Sequence, residues 1–374
     1  MNLASYLEQH ADGDPDRIAV RFEGASITYG QLNRDANRLA DALRHQGIAA
    51  GERVAIYLPN IPEFLLAYYA VQKLGAVAVT INAIFKTEEV RFLLDDSGAA
   101  AVFTTAELTR YAPGDCAALR SRVVVDQPAE GWTPLADLLH TGADKFQSVE
   151  RAPEDTAALL YSSGTTGFPK GVELTQQNIH SNIALAAHCS NYNAGDRLAV
   201  FLPLFHVYGQ NYMMNGAILR GATIVLFRRF VPDVVLNAIG SERITHFFAV
   251  PTIYVALLSM DLSPYDLSSL RYEMSAAATM PKEISRRWTE RFGRRIYEGY
   301  GLTECSPFAC YNDLVEHRFG SVGRPIDGFE IDIFDEADRP LPNGESGEIV
   351  IRGTGVMKGY WRRPEETVRA LSSG

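Results

Sequence analysis

The stretch Tyr161-Ser162-Ser163-Gly164-Thr165-Thr166-Gly167-Phe168-Pro169-Lys170-Gly171 puts four serine and threonine hydroxyls, three glycines and a lysine into one short segment. The apolar run at residues 157–160 precedes it. Glycine lets backbone N–H groups come close to an oxyanion, hydroxyls add donors, and lysine brings a point charge, a combination suited to a polyphosphate. The usual P-loop pattern cannot be aligned here, because Lys170 is preceded by Pro169 and followed by Gly171 rather than by Ser or Thr. An ordinary Gly/Ser/Thr surface loop is the plain alternative, and the length and specificity of the string argue against it.

Residues 162–171 resemble the phosphate-loop signature of the acyl-adenylate-forming, or AMP-binding, superfamily, in particular its acyl-CoA synthetase and fatty-acid–CoA ligase branch. Further matches follow in the family's order and together cover essentially the whole chain. Glu298-Gly299-Tyr300-Gly301-Leu302-Thr303-Glu304 resembles the adenine-and-metal segment. By that resemblance Tyr300 stacks on adenine, Thr303 bonds the α-phosphate, and Glu304 holds Mg²⁺ with help from the Ser162 hydroxyl. The chemistry agrees, since an aromatic face suits a base and a carboxylate suits a hard cation bridging phosphates. Ser275-Ala276-Ala277-Ala278-Thr279-Met280-Pro281 resembles the stretch between adenine and acyl pocket, with Ala276 and Thr279 where many relatives carry glycine and proline. Pro203-Leu204-Phe205-His206-Val207-Tyr208-Gly209 is similar to the aromatic motif beside the acyl site, which makes His206 a gate or wall of that pocket. Val207, Tyr208, Gln210, Asn211 and Ala276 are further pocket candidates.

The resemblance therefore implies catalytic roles for Lys170, Thr303, Glu304 and His206. It implies nucleotide contacts from Ser162, Ser163, Gly164, Thr165, Thr166, Gly167, Lys170, Ala276, Ala277, Ala278, Glu298, Gly299, Tyr300, Gly301 and Thr303. Mg²⁺ falls to Glu304 and Ser162. ATP and coenzyme A are the implied co-substrates. A carboxylate oxygen attacks the α-phosphate of ATP, making a mixed anhydride and releasing pyrophosphate, and a thiol then takes the acyl group and releases AMP. Such chemistry is mostly positioning and charge neutralisation, so no Ser/His/Asp triad is needed.

The apolar and aromatic residues around His206 favour a hydrophobic acid, a fatty acid ahead of an aromatic one. An amino-acid substrate is disfavoured, because residues 208–214 offer no carboxylate to hold an amino group. Luciferase-like oxidation shares the family's fold but needs a special pocket. A non-catalytic ATP-binding module is the alternative from another class, and the complete motifs argue against it.

These residues must be positioned by regular elements. Thr28-Tyr29-Gly30-Gln31 has capping-box spacing, and Leu32, Ala36, Leu39, Ala40 and Leu43 form an apolar helical stripe behind it. Strands are expected at residues 53–58, 77–80 and 100–104, with helices at 62–74 and 87–96. Further strands are expected at 197–202, 222–227 and 245–248, with helices at 209–219 and 232–241. Alternation of this kind implies an α/β fold with mainly parallel, helix-covered sheets. Two such units are expected, one from residues 1–50 and 190–318 and one from 51–189. A smaller β-rich, barrel-like unit at 319–374 carries a hairpin turn at Pro342-Asn343-Gly344. Gly347-Glu348-Ile349-Val350-Ile351-Arg352-Gly353 and Gly359-Tyr360-Trp361 match the family's β-rich segment and read as structural. In relatives a ribose-binding Thr-Gly-Asp motif, a hinge and a small mobile domain with a catalytic lysine follow. Their absence leads us to expect the 374-residue chain alone to be impaired.

At 47% hydrophobic residues the chain can bury more than one core, while a net charge of -10 speaks against generic nucleic-acid binding. Four irregularly spaced cysteines fit neither a disulfide framework nor a C-x-x-C site. No run is long and apolar enough to span a bilayer and the first residues lack signal-peptide order, so a cytoplasmic protein is expected, with a small-molecule acid, ATP and CoA as partners. The sequence leaves a homodimer open.

Overall fold

The computed structural model describes residues 1–162, 169–312 and 315–371. The expected alternation produces two large sheets. One has nine strands in the order Arg324–Pro325, Phe308–Tyr311, Ile296–Gly301, Tyr272–Ser275, His246–Ala249, Arg197–Val200, Thr223–Leu226, Ile18–Phe22 and Ala25–Thr28. The six in its middle are parallel and only the outer pairings are antiparallel. The other has eight strands in the order Gly359–Tyr360, Lys170–Thr175, Thr156–Ser162, Val77–Thr80, Arg53–Tyr57, Ala101–Thr104, Ser121–Val124 and Thr133–Pro134. It is parallel except where Lys170–Thr175 turns back along Thr156–Ser162 and takes Gly359–Tyr360 on its far side. A separate antiparallel pair, Phe329–Phe334 with Glu348–Gly353, is the expected hairpin.

The parallel strands read Val, Ala, Ile and Leu without alternation because both of their faces are covered. Helix Tyr29–His45 starts where expected: Thr28 Oγ1 accepts from Gln31 N, and Gln31 Oε1 accepts from Thr28 N. Its stripe Leu32, Ala36, Leu39, Ala40 and Leu43 is buried. Helix Pro62–Lys73 opens on proline and is buried on nearly every side from Phe64 onward. Its Tyr69 hydroxyl donates to Asn215 Oδ1 at 2.8 Å, and Asn215 Nδ2 donates to the Tyr68 hydroxyl at 2.9 Å, joining the elements of the two sheets.

One expectation differs in detail. Residues 209–219 do not form one α-helix. Tyr208–Asn215 is a π-helix that continues into the α-helix Gly216–Arg220. The widened turns sit where Gly209 packs on the backbone of Pro203: a Cβ at Gly209 would lie 2.2 Å from that carbonyl oxygen. Strands Ser121–Val124 and Thr133–Pro134 finish one edge of the eight-stranded sheet, and helix Leu135–Thr141 follows them. No helix among the described residues is long and apolar enough to cross a membrane.

Candidate functional site

The motif segments lie just beyond the carboxyl ends of strands. Ser162 ends strand Thr156–Ser162, His206 follows Arg197–Val200, Ala276 follows Tyr272–Ser275, and Thr303 follows Ile296–Gly301. In open α/β sheets, ligands bind in the crevice at this end. Here the ends of both sheets open on one cleft of about 380 Å³. Ser162, Lys170, His206, Val207, Tyr208, Ala276, Ala277, Gly299, Tyr300, Gly301, Thr303 and Glu304 all line it.

Four expected contacts do not reach the cleft wall. Gln210 and Asn211 are fully buried within the π-helix, Ala278 is exposed beside the cleft, and Glu298 is buried behind it. Burial raises the Glu298 pKa to about 7, a shift opposed by the Gly320 backbone N–H. Ser163, Gly164, Thr165, Thr166, Gly167 and Phe168, the body of the phosphate loop, lie outside the described residues.

At the polar end the sheets meet. Ser162 Oγ donates to Glu304 Oε1 at 3.2 Å although 142 positions separate the two residues. The same oxygen accepts from the Tyr360 hydroxyl at 2.9 Å. Among the described residues no donor reaches Glu304 Oε2. Lys170 Nζ pairs with the Glu366 carboxylate and stands 5.2 Å from the centre of the Tyr360 ring. The described residues contain no group of three or more His, Cys, Asp or Glu arranged to hold a metal. A single carboxylate with a hydroxyl beside it still fits magnesium, which dehydrates reluctantly and commonly takes one or two protein carboxylates plus substrate phosphates.

Local packing fixes this end. The buried Asn182, on helix Gln176–Cys189, donates to the carbonyls of Cys305 and Phe308 at 3.1 and 2.7 Å and accepts from Phe308 N at 3.1 Å. The helix following the phosphate strand therefore holds the turn that carries Glu304. Gly301 is required by close approach, since a Cβ there would sit 1.6 Å from the Pro307 carbonyl oxygen.

The other end is aromatic. Tyr208 and Tyr212, one π-turn region apart, have ring centres 5.3 Å apart, and Phe308 stands edge-on to Tyr212 at 5.0 Å. Met274 completes this wall, with its sulfur accepting from the Tyr212 hydroxyl at 2.9 Å. The Tyr208 hydroxyl is buried without a partner among the described residues. His206 stands at the mouth. Its Nδ1 accepts from Tyr208 N at 3.2 Å, which leaves the proton of the neutral ring on Nε2. The ring is open to the cleft yet packed round by protein, and that desolvation lowers its pKa and keeps it neutral at pH 7.

Sequence reasoning missed part of the wall. Leu302, Pro307, Phe308, Tyr212, Met274 and Tyr360 line the cleft, and Tyr360 had been read as structural. Tyr360 arrives through a two-residue strand paired Tyr360 with Val172, a contact for which a short sequence carries no periodic signal.

Comparison with known proteins gives the same answer over the whole length. The chain is 35% identical to a feruloyl-CoA synthase of an Amycolatopsis species over 100% of its own length and 74% of the relative's. It is 33% identical to a long-chain-fatty-acid–CoA ligase of Bacillus subtilis strain 168, covering 100% of this chain and 72% of that one. The structure of an anthranilate CoA ligase in complex with anthranoyl-AMP superimposes with a TM-score of 0.94 at 29% identity, over 99% of this chain and 73% of that chain. The model of the family described as AMP-binding enzyme matches residues 7–361, and the chain belongs to that family.

Proposed function

We propose that the protein activates a hydrophobic carboxylic acid with ATP, forming acyl-AMP and pyrophosphate, and passes the acyl group to the thiol of coenzyme A. The observation that carries this reading is the meeting of Ser162 and Glu304 at 3.2 Å, from different sheets, in a cleft that also presents Lys170, Tyr300 and Thr303. In this reading Tyr300 offers a face to adenine, Thr303 a hydroxyl to the α-phosphate, and Lys170 a charge to the phosphate oxygens. Glu304 and Ser162 would hold Mg²⁺, which when bound neutralises charge on the phosphates. His206, with its Nε2 proton, donates towards the carboxylate or the acyl oxygen, and the aromatic end holds the rest of the acid. Ser163 to Gly167 would add donors to the phosphates.

Within the class of hydrophobic acids we place compact aromatic acids ahead of long fatty acids, reversing the order favoured by sequence. One feature of the cleft supports this. Its inner wall is built from the rings of Tyr208, Tyr212 and Phe308, which suit a flat partner. The names of the relatives span both kinds of acid. Acid-dependent exchange of labelled pyrophosphate into ATP, run over short, medium, long and aromatic carboxylates, tests both statements. Exchange should appear, with hydroxylated or amino-substituted aryl acids at least about tenfold ahead of a sixteen-carbon acid in kcat/KM, a difference of ~1.4 kcal/mol. Exchange favouring the long chain would reverse the substrate order, and no exchange with any acid, even with the small carboxy-terminal domain of a relative supplied to the chain, would remove the ligase reading.

A further inference from the structure

Tyr360 has no place in the proposed reaction so far, yet its hydroxyl lies 2.9 Å from the carboxylate assigned to the metal. Resting on that assignment, we propose that Tyr360 is a positioning residue for Glu304: with Ser162 it ties down Oε1 and so reserves Oε2 for the cation. A terminal carboxylate torsion is broad and roughly two-fold, so an untethered Glu304 would present either oxygen in several directions. Two donors on one oxygen remove that freedom before any ion arrives. Partners of this kind, one bond away from a metal, commonly govern its affinity as strongly as a ligand does.

The phenol is delivered by backbone that is itself held. Tyr360 N donates to Thr367 Oγ1 at 2.9 Å, Trp361 N to Gly171 O at 2.7 Å, and Trp361 Nε1 to Asp96 O at 2.9 Å. These bonds fix residues 360–361 against strand Lys170–Thr175 and helix Thr87–Ser97 without using the hydroxyl. The ring also faces the Lys170 ammonium at 5.2 Å. A phenylalanine keeps the ring, its cation–π contact and all the backbone bonds, so Tyr360→Phe removes the hydroxyl alone.

The test is the magnesium dependence of binding of a non-cleavable α,β-methylene analogue of ATP to the full 374-residue chain, followed by calorimetry. Tyr360→Phe should raise the Mg²⁺ concentration needed for half-maximal binding about tenfold. Nucleotide affinity without Mg²⁺ should stay within about twofold and the thermal midpoint should hold, because a residue outside the metal shell affects neither. In a Glu304→Gln background the same substitution should add nothing, since the coupling runs only through that carboxylate. Unchanged magnesium dependence, an equal loss in the Glu304→Gln background, or loss of the folding transition in Tyr360→Phe would each overturn the proposal. If the wild-type chain itself bound the analogue without regard to Mg²⁺, the metal assignment under the proposed function would fall, and this inference with it.

Discussion

Each charged group in the cleft already has a protein partner that a nucleotide must join or displace. Lys170 pairs with Glu366, and Glu304 accepts from Ser162 and Tyr360. Elsewhere one acid has poorer provision. Glu273 is almost fully buried on strand Tyr272–Ser275 under helix Lys282–Phe292, where the Trp288 indole N–H donates to one oxygen at 3.0 Å, and its other oxygen lacks a hydrogen-bond partner among the described residues. Desolvation raises its pKa to about 7, against the opposing pull of Trp288 and of Arg294 at 3.9 Å. A carboxyl whose folded pKa lies above its unfolded value binds more protons in the native state. Its favourable contribution is complete below about pH 4.5 and is lost as pH rises through about 7. Glu273→Gln should therefore change stability little at pH 4.5 and raise it at pH 8 by up to about 3 kcal/mol. Urea unfolding at the two pH values checks this. An equal effect at both would mean that ionisation of Glu273 is not the cause. At this scale the sequence was most readable in bringing together side chains from distant motifs, since Lys170, Tyr300, Thr303 and Glu304 all line the cleft. It was least readable at Glu298 and Gln210, whose neighbours in sequence line the cleft while they themselves are buried behind it.

At the scale of elements, the strands that were expected match within two residues because covered parallel strands are short, continuous apolar runs, while strands such as Tyr272–Ser275 and Ile296–Gly301 were not read. The capping box at Thr28 was equally plain, since it needs only four adjacent residues. The π-helix Tyr208–Asn215 could not be read: its apolar spacing resembles that of an α-helix, and the tight packing of Gly209 on Pro203 near its start leaves no pattern in sequence. Nor could the tie between helix Gln176–Cys189 and the turn carrying Glu304, which depends on one asparagine reaching 123 and 126 positions along the chain. Asn182→Ala leaves two carbonyls and one N–H without their partner, each costing about 1–3 kcal/mol when buried. Unfolding should show a loss of at least about 2 kcal/mol, and ATP affinity in the surviving folded protein should fall with it. A variant that is less stable but binds ATP as before would show that Asn182 supports the fold without placing Glu304.

At the scale of the whole molecule, the candidate cleft exists only because two sheets present their strand ends to one another. No single motif in the sequence contains that fact; it was implied by the order of the motifs and by their resemblance to a family. The buried tyrosine–asparagine contacts of helix Pro62–Lys73 with Asn215 are one physical reason for the docking, since polar groups desolvated together must bond to each other. Under the proposed function the α-phosphate of ATP is the point of attack by the acid. The direct test is a single turnover with an acid whose carboxylate oxygens are both ¹⁸O, followed by mass analysis of the products. One ¹⁸O in AMP and none in pyrophosphate is the expected result, because the attacking carboxylate oxygen stays on phosphorus when the acyl group leaves to a thiol. Label in orthophosphate or pyrophosphate, or formation of ADP, would contradict the account.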